Sequence, residues 1–434
     1  MIGTGEVGRA MYALVERLYP ICRSLTGDGV RETLRILAGL VPLEIHEVAS
    51  GTQVFDWVVP DEWNVRDAWI ARVNGERVVD FLTSNLHVVG YSTPIRKRVT
   101  LEELRGHLHT LDGHPDWIPY RTSYYERNWG FCVSRRQYEA LVEPEYDVCI
   151  DATLGPGSLT YGELAIRGGT EREFVFTTHV CHPSMCNDNL SGIAVATFLA
   201  RALAQEPRRW SYRFLFIPGT IGSLAWMAGN REILDSIQGG MSLVCLGDAS
   251  PLTYKRSLAG TSLVDRAAAH VLRHRQRGEI VIDYVPFGYD ERQFNAPGFR
   301  IPVGSLMRAR HGTFPEYHTS ADDLSFVSGG QLADALDACL EIVEVLEGDL
   351  TYVNQSPYGE PQLGRRGVYR SLGGEPGLGD LTMAMLWVLA LSDGSRSLLD
   401  IADRAGVPFR AVKRAADALA GVGLVRPGNN GNRP

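Results

Sequence analysis

The sequence predicts an α/β protein with a doubly wound core, a small β-rich insertion near its N terminus and a winged-helix module at its C terminus. Three observations carry that expectation. From residue 146 to about 347, strand-like and helix-like segments alternate, which argues for an open sheet covered by helices on both faces. Between residues 44 and 100 the apolar period changes to that of strands. Beyond residue 380, a helix, a short helix, a Gly turn, a third helix and a strand-like run follow in winged-helix order.

Taken in order, residues 6–40 read as two helices separated by Pro20 and the turn Gly27-Asp28-Gly29, the second with Leu34, Ile36, Leu37 and Leu40 on one side. The runs Gln53-Val54-Phe55-Asp56-Trp57-Val58-Val59 and Trp69-Ile70-Ala71-Arg72-Val73 alternate or stay β-branched, and Asn74-Gly75 after the second is a hairpin signal. The aromatic stretch 118–131 is expected to close this insertion onto the main sheet. Core strands are expected at 147–150, 174–178, 212–217 and 243–246, and core helices at 192–205, 222–231, 263–275 and 330–346. Residues 351–380, rich in Gly and Pro, read as a linker, followed by helices at 381–391, 397–405 and 408–420. The domain plan is therefore residues 1–44 with 131–350 for the core, 45–130 for the insertion, 351–380 for the linker and 381–434 for the winged helix.

The chain of 434 residues has room for two or three domains, and 44% hydrophobic with 22% charged residues is the composition of a soluble globular protein. A formal charge of -8 gives no global attraction for a phosphate backbone, which argues against nucleic acid as the main partner. The seven cysteines are an odd number without a paired C-x-x-C framework, which points to a reducing cytoplasm. No charged and then apolar leader opens the sequence, and no segment approaches the roughly 20 apolar residues that span a bilayer. A cytoplasmic protein without membrane partners is expected, with homo-oligomerisation left open.

Chemistry concentrates in His179-Val180-Cys181-His182-Pro183-Ser184-Met185-Cys186-Asn187-Asp188-Asn189, directly after the apolar run Phe174-Val175-Phe176-Thr177-Thr178. The carboxyl end of such a strand is where open α/β sheets bind ligands. Further clusters follow other strands or lie in loops: Gly247-Asp248, Asp290-Glu291-Arg292, and Glu316-Tyr317-His318-Thr319. Two His and two Asp suit zinc or another borderline divalent ion, and a nearby carboxylate suits general-base work. Each cluster also has an ordinary structural reading: Asp188 as a helix cap, Asp248 as a loop residue, His318 as a satisfied structural histidine, and 290–292 as a solvated turn. A thiol nucleophile is the competing chemistry, but Cys181 and His182 as neighbours on a strand point to opposite faces, and no G-x-S-x-G elbow is present.

Cys181-His182-Pro183-Ser184, Asn187-Asp188-Asn189-Leu190-Ser191-Gly192, Gly247-Asp248, Asp290-Glu291-Arg292-Gln293 and Tyr317-His318-Thr319-Ser320 resemble a bacterial aminopeptidase-like family of uncharacterised function. Arg23-Ser24-Leu25-Thr26-Gly27-Asp28-Gly29, Phe55-Asp56-Trp57, Glu62-Trp63-Asn64 and Trp129-Gly130-Phe131-Cys132 extend the resemblance over nearly the whole chain. It implies a zinc-aminopeptidase-like α/β core with the inserted β domain and the C-terminal winged helix. It also implies one or two zinc ions, with Asp188 as bridging ligand, His182 and His318 as imidazole ligands, Asp248 as a further carboxylate, and His179 as a second candidate for the first imidazole. One departure stands out: the family's Pro-Glu-Thr reads Pro218-Gly219-Thr220 here, so its acid is missing.

Two functional expectations follow. The first is a zinc-dependent amide hydrolase acting on a small peptide or an amide-containing metabolite, with Glu291 as base and Tyr317 donating to the oxyanion. The second, prompted by Gly219, is a catalytically degenerate core that serves as a binding or regulatory module through its winged helix.

Overall fold

The computed structural model describes residues 4–368 and 378–428; the part of the expected linker at 369–377 lies outside them. The chain divides into two compact units, Met1–Ser262 with Ile282–Asp337, and Leu263–Val281 with Ala338–Pro434. In the first unit lie seven strands of an eight-stranded mixed sheet: β1 (Glu44–Ala49), β2 (Ser158–Ile166), β3 (Glu173–His179), β4 (Ser211–Ile217), β5 (Ile237–Leu243), β6 (Thr253–Lys255) and β7 (Val303–Met307). Their spatial order is β1-β2-β4-β3-β5-β7-β6. The central pairs β4-β3, β3-β5 and β5-β7 are parallel, while β1-β2, β2-β4 and β7-β6 are antiparallel.

β3 and β4 are buried along their whole length, as continuous apolar runs are when both faces of a sheet are covered. Phe176 lies opposite Phe214 in the parallel register, and their rings stack with centroids 5.1 Å apart. Each such ring contributes roughly 1.5–3 kcal/mol by leaving water. From β3 the chain goes to β4 on one side and then to β5 on the other. The carboxyl end of β3 therefore lies at the reversal point of the strand order, where a crevice opens.

Two strand expectations are corrected. The strand expected at 243–246 lies earlier, at Ile237–Leu243, because Gly239-Gly240 breaks the apolar run that would have revealed it, and the left-handed backbone of Cys245 (φ 49°) follows its end. The strand expected in the core at 147–150 instead belongs to a separate antiparallel sheet, ordered Arg77–Asp80, Glu62–Arg72, Glu145–Gly155, Ile95–Thr100. Its pairing with Glu62–Arg72 runs from Tyr146 opposite Arg72 to Gly155 opposite Glu62, which buries Tyr146, Val148 and Ile150. The aromatic stretch 118–131 reaches the loop around His318: Tyr120 N donates to His318 O (2.8 Å) and Ile118 N to Ser320 Oγ (2.9 Å).

In the second unit, helices Leu378–Leu391, Leu398–Ala405 and Phe409–Gly421 accompany a three-stranded sheet in which Thr351–Asn354 lies between Asp393–Ser397 and Val425–Pro427. The first residues of the expected linker are thus its central strand. The helix Leu263–Arg275, expected in the core, packs in this unit: His270 Nδ1 lies 2.8 Å from Asp403, and Phe409 N donates to His270 Nε2 (3.0 Å). Among the described residues, no helix is long and apolar enough to cross a membrane.

Candidate metal centre

His179 is the last residue of β3, so the sheet itself aims it into the crevice. The loop that follows is fixed by buried Arg23, whose Nε donates to His182 O (2.8 Å) and whose Nη2 donates to Pro183 O (3.0 Å). A turn over Cys186–Ser191 then enters the helix Gly192–Leu203. The amide side chains of this turn serve the buried backbone beside them. Asn187 Oδ1 accepts from Gly247 N (2.8 Å), Asn189 Oδ1 from Cys245 N (3.2 Å) and Ser191 Oγ from Leu246 N (2.8 Å). Gly192 is required because a Cβ there would lie 2.3 Å from Leu243 O. With its own N–H held by Asp322 Oδ2 (2.8 Å), Asp188 is left to face the histidines.

Asp188 is wholly buried, and its two oxygens face different imidazoles. His179 Nε2 is 2.8 Å from Oδ1 and His182 Nδ1 is 4.0 Å from it, whereas His318 Nε2 is 3.0 Å from Oδ2. Burial opposes ionisation of Asp188, but His182, His179 and His318 around it outweigh that and hold its carboxyl well below the usual range. Burial likewise keeps His182 well below the ordinary imidazole range, so it is neutral. His318 has a left-handed backbone (φ 56°), unfavourable for a side chain with a Cβ, and its ring stacks on Tyr317 at 3.9 Å. Tyr120 meets the rings of both His182 and His318 edge-on.

Of the expected site residues, His182, Asp188 and His318 come together, and His179 joins them. Asp248 lies apart from this group: Oδ1 accepts from Ser250 N (2.7 Å), and Oδ2 from Asn187 Nδ2 (2.9 Å) and Ala309 N (3.1 Å), so it acts as a clamp on the turn. Glu291, expected as base, is spent on a buried ion pair with Lys255 and on Tyr289 N (Oε2, 3.0 Å). Tyr317 lies near the group through Tyr289, whose hydroxyl is 3.2 Å from that of Tyr317 and donates to Asp188 Oδ1 (3.1 Å). Cys181 is buried and its thiol is pushed up to about 12, chiefly by that burial, so it is no ready thiolate.

Two residues are given no individual role by the sequence. Tyr289 stacks on His179 at 4.5 Å, and Asp290 is fully buried with neither oxygen accepting a hydrogen bond. Burial pushes the Asp290 carboxyl up to about 6, against the opposing pull of His179 and of the Ser223 hydroxyl, which itself donates to Thr220 O (2.7 Å). The only signal was a Gly-Tyr-Asp-Glu turn in which either acid could serve.

The donor set fits a divalent ion. One donor atom each from His179, His182 and Asp188 lie within 4.8 Å of one another, the only such group among the described residues. His182 Nδ1 is buried without a hydrogen-bond partner, and a neutral imidazole beside an ionised carboxylate is the protonation state that ligation needs. Nitrogen and oxygen donors in this ratio suit zinc.

Fold and site together define an aminopeptidase-like protein. A zinc aminopeptidase from Bacillus subtilis superposes with a TM-score of 0.56 at 16% identity, covering 78% of this chain and 94% of that one. A peptidase M28 precursor from Shewanella amazonensis gives 0.55 at 13% identity, covering 79% and 96%. The chain belongs to the family described as "Domain of unknown function (DUF4910)", matched over residues 12–349, and residues 350–427 match a winged helix-turn-helix family. A Clostridium acetobutylicum protein named "Putative polysaccharide biosynthesis protein with aminopeptidase-like domain" is 50% identical over 98% of this chain and 97% of its own length. The crystal structure of a "putative peptidase" from the same organism superposes with a TM-score of 0.93 at 48% identity, covering 98% and 97%.

Proposed function

We propose that the protein is a metal-dependent amide hydrolase of aminopeptidase type, acting on a small peptide or an amide-containing metabolite. The observation that carries this reading is Asp188, an ionised carboxylate buried at the end of β3 with His179 and His182 at one oxygen and His318 at the other. These four residues would hold the ion, and the two-sided use of Asp188 is compatible with one zinc or two. When bound, such an ion polarises a carbonyl and lowers the pKa of a bound water.

The chain's own residues supply orientation and protons. Tyr289 spends its hydroxyl proton on Asp188 Oδ1, and Tyr317, whose hydroxyl lies 3.2 Å from that of Tyr289 and is kept protonated by burial, would be the donor to a carbonyl oxygen as charge develops on it. Asp188, His179 and His182 are buried, which strengthens the contacts among them, while His318 is a third exposed and leaves the site open on its side. The relative named "Putative polysaccharide biosynthesis protein with aminopeptidase-like domain" is a reason to keep amide-containing metabolites in the substrate class beside peptides. The rival expectation, a degenerate core, rests on Gly219, and the uncommitted carboxylate of Asp290 close to that position speaks against it.

The test is zinc per chain in protein purified without chelator, for wild type and His318→Ala, with aminoacyl p-nitroanilides and N-acetylated amino sugars assayed in parallel. Near-stoichiometric zinc in the wild type, reduced in the variant, with turnover of one amide class, is expected. A wild-type protein that takes up no stoichiometric zinc would sink the reading.

A further inference from the structure

Gly219 follows β4 (Ser211–Ile217) at the same end of the sheet as His179. A Cβ built there would lie 3.0 Å from the Cβ of His179 and 3.5 Å from Asp290 Oδ2. The space that a side chain at 219 would enter is therefore bordered by a carboxylate that arrives from another part of the chain. That carboxylate is buried and accepts no hydrogen bond from either oxygen. Buried polar groups without partners are rare, and they persist where a ligand, a water or a reacting group completes them. The adjacent acid, equally buried, does have partners: Glu291 is bound by Lys255 Nζ and by Tyr289 N. Lys255 Nζ also donates to Phe287 O (2.9 Å), which ties down the segment before Asp290, and Asp290 Oδ2 lies beside position 219.

We propose that Asp290 is the proton-accepting acid of this site, filling from its own turn the place that a side chain at position 219 would take. The proposal rests on the amide-hydrolase reading and adds the residue that reading lacks. As the oxygen of a water forms its bond to the amide carbonyl carbon, one water proton passes to an oxygen of Asp290. The same proton then goes to the amide nitrogen as the C–N bond breaks, which leaves a carboxylic acid, an amine and Asp290 ionised again, with nothing oxidised or reduced. Positions 219 and 290 thus act as one: an acid is supplied from either, and the presence of one leaves no need, and little room, for the other.

The experiment uses the full chain and two readouts. In the zinc-loaded protein, Asp290→Asn is expected to keep the wild-type zinc content and melting temperature while turnover of whichever amide the wild type cuts falls about 100-fold or more. Turnover kept by Asp290→Asn overturns the proposal, and so does loss of zinc, which would make the residue a ligand instead. In the zinc-free protein, Gly219→Glu brings a second carboxylate beside Asp290 and is expected to lower the melting temperature, and Gly219→Glu/Asp290→Ala to recover most of that loss. Simple additivity in this cycle would overturn the shared position. Because the cycle needs neither metal nor substrate, it separates the two readings. A wild type that loads zinc but cuts no amide refutes the hydrolase alone, and recovery in the double variant then still supports Asp290 as the acid facing the site.

Discussion

Glu291 is the acid that sequence reasoning chose as base, and the structure makes it a strut. Its side chain is fully buried, that of Lys255 is 1% exposed, and the two are paired directly. Removing one partner of a buried pair leaves an uncompensated charge and costs roughly 3–5 kcal/mol, whereas replacing both with apolar or neutral groups of similar size is often nearly neutral. Lys255→Met should therefore strand Glu291, Glu291→Gln should strand Lys255, and the double variant should be more stable than either. For a unit of this size the single losses correspond to a drop in melting temperature on the order of 10 °C. The assay is thermal unfolding of the four proteins followed by tryptophan fluorescence, with zinc content measured on each. Additive losses in the double variant would refute the pairing argument. So would a Glu291→Gln protein that melts like wild type, keeps its zinc and has lost turnover, since that behaviour belongs to a base.

Other consequences can be checked separately. Gly192→Ala puts a Cβ 2.3 Å from Leu243 O, so expression of folded protein or its melting temperature should fall sharply, and a variant within a degree of wild type would contradict the close approach. Cys181→Ser should leave turnover within a few-fold of wild type, because the thiol is not ionised near neutrality, and abolished turnover with zinc retained would reopen the nucleophile reading. His87 is buried with Nδ1 donating to Cys132 O (2.7 Å), and burial depresses its pKa, so the unfolded chain binds its proton more readily. Its contribution to stability is complete above about pH 6.5 and is lost as pH falls through the depressed folded value, so His87→Gln should melt with a shallower loss between pH 7.5 and 5; an unchanged pH profile would count against this. In the second unit Arg410 pairs with Glu344, Lys413 with Asp417, and Arg266 with Asp400, so the chain should show no salt-dependent shift of duplex DNA, and a steep salt dependence would reverse that expectation.

How far the sequence could be read depends on the distance over which each feature is decided. β3 and β4 announce themselves because burial on both faces demands an unbroken apolar run, and the winged-helix order because caps and turns such as Ser397 and Gly406 (φ 68°) are local chemistry. The strand Ile237–Leu243 was misplaced because glycines hide a buried strand, and Glu145–Gly155 was given to the wrong sheet because its partner, Glu62–Arg72, lies far back in the chain. The same rule holds in the site. His182 and Asp188 stand out by residue type and by position after a strand, and His318 by residue type alone, and the structure brings the three together. The bonds that occupy Asp248 come from Ser250, Asn187 and Ala309, and nothing near Asp248 in sequence announces all three.

Asp290 and Glu291 carry the distinction furthest, since they are adjacent, share a charge type and are both fully buried. What divides them is which one meets Lys255, a residue of β6 that sequence proximity does not connect to the turn. The lysine neutralises one acid and anchors the turn through Phe287 O, and the other acid is left buried with neither carboxylate oxygen accepting a hydrogen bond. A buried charge of that kind is tolerated only where the surrounding fold over-determines its position, and the Lys255 clamp provides that constraint. Gly219 belongs to the same arrangement: with no side chain of its own it leaves Asp290 Oδ2 its place beside His179.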